Sequence, residues 1–150
     1  MGSTTPTGLD LRMGYQLKRA ATALRGAMDA ELRPHSLTVP QYACLELLDL
    51  HPDLSNAGLA RGAFVTRQAM NTVLRGLEDA GLVQRPPEAP YGRAIPARLT
   101  PAGRKRLRAA RTAVARVEAR LAGALAPERA AAFLADLVAV SEALGADATH

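Results

Sequence analysis

Tryptophan is absent from the sequence, and only five residues are aromatic. Sandwiches and barrels draw heavily on aromatic and β-branched side chains, whereas Ala, Leu and Arg, which dominate here, favour helix. A single cysteine, Cys44, excludes an intrachain disulfide and cannot by itself build a thiolate metal cage. No run of about 20 apolar residues is present to span a bilayer, and the N-terminal MGSTTPTG lacks the basic and apolar regions of a signal peptide. A cytoplasmic protein without membrane attachment is expected, held together by packing alone. At 150 residues the chain is about one domain's worth, long enough to bury roughly two-thirds of its unfolded surface.

Acidic residues are scarce in the middle of the chain. Between Leu54 and Arg111 eleven Arg or Lys face three acids, Glu78, Asp79 and Glu88, a surplus of eight in a chain whose total is +5. The remainder therefore carries −3. A basic middle with mildly acidic flanks points to one part of the molecule meeting a polyanion while the rest does something else. Scattered solubilising arginines are the bland alternative.

Punctuation divides the chain into elements. A first helix is expected from about Leu9 to Leu32, with Leu17, Ala21, Leu24, Met28 and Leu32 along one stripe and Pro34 stopping it. TVPQ at 38–41 has the threonine and glutamine of a capping box, opening a second helix to about Leu50. Ser55 caps a short third helix to about Ala63, Thr66 caps a fourth, and Gly81 stands where a left-handed C-terminal residue belongs.

Residues 82–99, with Pro86, Pro87, Pro90, Gly92 and Pro96, read as a small β-hairpin with a long exposed tip and an edge or irregular returning strand. Thr100 and Pro101 open a long helix bearing Leu107, Ala110, Val114, Val117, Leu121 and Ala124. Pro127 starts a last one with Phe133, Leu134, Leu137, Val138 and Leu144 on its stripe. These terminal stripes exceed what the small middle section can cover. Partner helices from a second chain, or an intramolecular bundle, would bury them.

The fourth helix, within FVTRQAMNTVLRGLEDAGL at 64–82, carries two sets of side chains at helical spacing. Ala69, Met70, Val73, Leu74 and Leu77 want a core. Arg67, Gln68, Asn71, Thr72 and Arg75 form a second face of long or forked hydrogen-bonding groups without an acid. Two short helices joined by GAFV, followed at once by a basic hairpin, are the layout of a winged helix-turn-helix.

At this point the chain resembles the multiple antibiotic resistance regulator (MarR) family of bacterial transcription factors. The likeness is carried by LSNAGLARGAFVTRQAMNTVLRGLEDAGLVQR at 54–85 and YGRAIPARLTPAGR at 91–104. It implies a mainly α fold of order α-α-α-α-β-hairpin-α-α, with dimerisation helices at 9–33 and 101–145 and a DNA-binding region at 38–100. It also implies a ligand-responsive repressor that binds a pseudo-palindromic double-stranded DNA site as a homodimer. The polar face of the fourth helix then reads base edges: Arg suits guanine O6 and N7, Gln or Asn suits adenine N6 and N7, and Thr can touch the thymine methyl. Ser55 and Thr66, at helix N-termini, suit phosphates. Where relatives often have a basic residue this chain has Thr72, and its wing reads Tyr91-Gly92-Arg93 in place of acid-Arg-Arg. Arg93 is left as the minor-groove reader.

Other chemistry is thin. Cys44 and His51 are seven apart but lack an oxyanion loop or an orienting third group, so no enzyme is expected. His35, Glu46 and His51 lack tight ligand spacing, so no metal or other cofactor is expected. Cys44, among leucines in PQYACLELL, reads as a small core residue; because the family includes thiol-based oxidation sensors, a redox role stays open. Tyr15, Tyr42 and His51 are candidates to line an effector pocket between dimer and DNA-binding regions, with core or surface roles equally open. A helical protein-interaction module is the remaining alternative from another class.

Overall fold

A computed structural model describes residues 8–85 and 97–145. Six α-helices are present in it: α1 Met13–Leu32, α2 Val39–Leu50, α3 Asn56–Gly62, α4 Arg67–Asp79, α5 Pro101–Gly123 and α6 Ala130–Ala143. Two short strands, β1 Val83–Gln84 and β2 Arg98–Leu99, pair antiparallel in the register Val83 to Leu99 and Gln84 to Arg98. The order is the expected one. The hairpin tip at 86–96, with Tyr91, Gly92 and Arg93, lies outside the described residues.

Local side-chain chemistry fixes most helix starts. The Thr38 hydroxyl accepts from the Gln41 amide at 3.3 Å while the Gln41 side chain accepts from the Thr38 amide at 2.9 Å, a complete capping box. Ser55, Thr66 and Thr100 each accept from the amide three residues on. α1 is different: it begins at Met13, later than expected, and its cap residue Arg12 offers no side-chain acceptor. Pro127 opens a single 3-10 turn, and the last helix proper begins at Ala130.

The core is made by α2, α3, α4 and the strand pair, closed by one end each of α1 and α5. Leu45, Leu59, Met70, Leu74, Leu77 and Leu107 are fully buried there. The hairpin is welded to α5 through Thr100. Its amide donates to the Leu82 carbonyl, its hydroxyl donates to the Gly81 carbonyl at 2.6 Å, and the same oxygen accepts from Gly103. Gly103 is required at this crossing, because a Cβ there would overlap the Leu82 carbonyl oxygen.

The terminal helices leave this core half-finished. Along α1, Leu32 is buried and Leu24 and Met28 are half-buried, while Met13 and Leu17 are exposed. Along α5, Leu107, Ala110, Ala113 and Val117 are buried, then Leu121 emerges. In α6 no residue is buried, and Phe133, Leu134, Val138 and Val140 stand exposed, as does Leu144 just past its end. An apolar cleft of about 570 Å³ runs between α1, α5 and α6, lined by Leu17, Leu24, Leu121, Phe133 and Leu137 among others.

Candidate nucleic-acid interface

α3 and α4 pack against each other and both pack on α2, a three-helix unit with α4 on its outside. Met70, Leu74 and Leu77 anchor α4 inward, which leaves Arg67, Gln68, Thr72 and Arg75 exposed on the opposite face. Apolar burial on one side therefore holds the polar face in one orientation, and the first acids appear only at its end, Glu78 and Asp79. The Thr66 cap at 3.0 Å leaves further first-turn amides directed outward, where the helix dipole favours an anion. Ser55 does the same for α3 and is exposed.

Two members of the polar face are already engaged. Asn71 is half-buried, and its Oδ1 accepts from the Asn56 side chain of α3 at 3.2 Å. This fixes the amide and leaves its NH₂ to donate. The Thr72 hydroxyl donates to the Gln68 carbonyl one turn back, on a side chain that stays exposed. Asn56 is the residue that the sequence did not single out; nothing local links it to Asn71, fifteen positions on.

The basic middle is also less free than its charge count implies. Arg85 pairs with Glu78. Three arginines of α5 are held by the rest of the fold. Arg106 donates to the His35 carbonyl at 3.0 Å, Arg111 bridges Glu46 and Asp49 at 2.8 and 2.6 Å, and, beyond the counted stretch, Arg116 reaches Glu31 at 3.1 Å. Arg61, Arg67, Arg75, Arg98, Arg104, Lys105 and Arg108 remain exposed.

Around Arg111 the couplings are strong. Its hydrogen bond, aided by one from Tyr42 at 2.6 Å, holds the Glu46 carboxyl below the usual carboxylate range against the opposing effect of burial. Burial, and then that hydrogen bond to Glu46, push the Tyr42 phenol upward. Tyr42 thus faces α5 through Glu46, His51 ends the same helix about 13 Å further along its axis, and Tyr15 sits exposed on the N-terminal half of α1. None of the three lines the apolar cleft. Cys44 has no exposed surface, and burial pushes its thiol up to about 12, so at neutral pH it is held in the unreactive protonated form. Among the described residues no three His, Cys, Asp or Glu side chains gather as a metal cage, and no helix is long and apolar enough to cross a membrane.

A capped, outward-facing polar helix on a three-helix unit, followed by an antiparallel strand pair, defines a winged helix-turn-helix transcriptional regulator. Residues 35–94 match the MarR family model. The chain is 48% identical over 121 residues to the HTH-type transcriptional repressor Rv2887 of Mycobacterium tuberculosis, spanning 80% of this chain and 87% of that protein. The chain belongs to the MarR family. The structure of Rv2887 in complex with DNA superposes with a TM-score of 0.72 at 43% identity, covering 91% of this chain and 99% of the other. That of Rv2887 in complex with salicylic acid gives 0.72 at 44%, covering 87% and 97%.

Proposed function

We propose that this protein is a ligand-responsive repressor that binds a pseudo-palindromic operator as a homodimer, each chain laying α4 in the major groove. The acid-free face of Arg67, Gln68, Thr72 and Arg75, held outward by the burial of Met70, Leu74 and Leu77, is the observation that carries the reading. In it Arg67, Gln68 and Arg75 read base edges, Asn71 donates its free NH₂, and Thr72 offers its methyl to thymine. Ser55 and Thr66 receive phosphates at helix N-termini. Arg93, from the wing, senses the minor groove. The DNA complex of the similar repressor Rv2887 supports this. The activity is binding alone, with no catalytic step and no cofactor.

Residues 38–100 form the DNA-binding region, and 9–33 with 101–145 the dimerisation region. The bare apolar faces of α1, α5 and α6 support the dimer, since exposed apolar surface of this extent marks an interaction site. Half-site centres then lie about 10 bp apart, one helical turn. The effector is a small aromatic acid, by analogy with the salicylic acid complex of Rv2887, received between the dimerisation and DNA-binding regions, with Tyr15, Tyr42 and His51 as the candidates to meet it. It releases DNA only by favouring a state that no longer fits the groove, so it must bind that state more tightly.

A competitive gel shift on DNA flanking the protein's own gene tests the reading. A specific band that survives excess random DNA is expected. No specific band would instead favour a helical protein-interaction module whose basic middle is only a solvated face.

A further inference from the structure

One left-handed residue has a side chain that its own fold does not use. α3 and α4 end in the same way. After α4, the amide of Gly81 (φ 72°) donates to the Glu78 carbonyl and that of Leu82 donates to Leu77. After α3, the amide of Phe64 (φ 57°) donates to the Arg61 carbonyl and that of Val65 donates to Ala60. Both are Schellman caps, whose left-handed position is usually glycine. The first has glycine; the second has phenylalanine. A Cβ in that conformation is disfavoured, and the ring gains no packing in return, because Phe64 is 88% exposed. A residue that is strained and uncovered serves something outside its own chain.

Its setting identifies what. Phe64 lies in the turn of the helix-turn-helix, two residues before the Thr66 cap, between the exposed cations Arg61 and Arg67. No acid occurs from Ala57 to Leu77. An apolar ring flanked by cations at the mouth of a base-reading helix matches a nucleic-acid strand, which offers apolar sugar faces between its phosphates; an acidic or apolar protein surface would not explain the placement beside α4. We infer that Phe64 lays its ring on a deoxyribose of the operator strand that Thr66 and Arg67 approach, setting how deep α4 sits in the groove. The inference rests on the DNA-binding function proposed above. Contact with sugar leaves a signature distinct from that of a cation or a base reader. Its loss lowers affinity for all sequences alike and leaves the salt dependence unchanged, because no phosphate charge is neutralised.

Operator affinity of Phe64→Gly and Phe64→Tyr, measured at several salt concentrations alongside thermal unfolding, tests it. Phe64→Gly relieves the left-handed strain, so it should unfold at the same or a higher temperature than wild type while binding about tenfold more weakly, with an unaltered salt slope. Phe64→Tyr keeps the ring and should bind like wild type. Unchanged affinity of Phe64→Gly for an operator that wild type binds would overturn the inference. So would a lower unfolding temperature, which would show that the ring packs on its own fold, or a loss confined to one base position. If wild type binds no operator, the proposed function itself fails and this contact fails with it.

Discussion

Leu74 in α4 and Leu134 in α6 are the same residue on the apolar stripes of two helices, yet Leu74 has no exposed surface and Leu134 keeps 64% of its own. The central unit closes its apolar side with α2, α3 and the strand pair and is left with a surplus of polar groups. The terminal helices pair part of their charge, Arg111 with Glu46 and Asp49 of α2 and Arg116 with Glu31 of α1, and are left with a surplus of apolar surface. Each region is incomplete in a different currency, so each needs a different partner. Cationic and hydrogen-bonding surplus suits DNA; apolar surplus suits another copy of the same helices.

If that division is right, damage to one region should leave the other intact as a folded body. The largest effect is expected from a charge at Leu121, which is exposed in the single chain but central to the apolar end. Leu121→Glu should give a folded monomer by sedimentation velocity and circular dichroism, with operator affinity lowered by about 10²–10⁴ through loss of the second half-site. Retention of the dimer would remove α5 from the interface. Next come Arg67→Ala, Gln68→Ala and Arg75→Ala, each expected to cost about 1–3 kcal/mol of binding and to relax preference at one position of each half-site. Arg93→Ala should weaken binding to all sequences and flatten the dependence of log affinity on log salt by up to about one unit. Binding to a panel of single-base operator variants at several salt concentrations separates these patterns.

Much of this was legible in the sequence because helix caps are local. Thr38, Ser55, Thr66 and Thr100 each act on an amide three residues away, and Gly81 takes the left-handed angle its position demands. The orientation of α4 was also legible, since Met70, Leu74 and Leu77 recur at helical spacing. Contacts across large sequence separations were not. Asn56 with Asn71, and Arg111 with Glu46, 65 positions apart, leave no periodic trace, so the charge count overstated the free basic surface of α5. The start of α1 at Met13 was missed because no side chain caps it. Phe64 leaves no signal in the sequence, because no local rule places phenylalanine at a left-handed cap.

Two smaller effects bear on the join between the regions. Glu46 is held below its ordinary value, so the stability it contributes is present above the unfolded value of about 4.3 and is lost as pH falls through the folded value. Glu46→Gln should cost about 1 kcal/mol at pH 7 by chemical denaturation, and the two proteins should converge as pH falls below the folded value of Glu46; a difference that does not shrink with falling pH would show the ion pair to be without effect. The smallest expected change is none. Peroxide at neutral pH should leave operator binding by wild type and Cys44→Ala alike, because the buried thiol is protonated. Release of DNA from wild type alone would make Cys44 a sensor after all.

Sedimentation equilibrium of the wild-type protein on a labelled operator duplex measures both partners at once. Two chains of 15.8 kDa on each duplex, with a two-chain species persisting when DNA is omitted, are expected if the polar face of α4 meets DNA and the bare helices meet each other. One chain per duplex, or a monomer at micromolar concentration in its absence, would mean that the apolar surface of α1, α5 and α6 is not covered by a second copy.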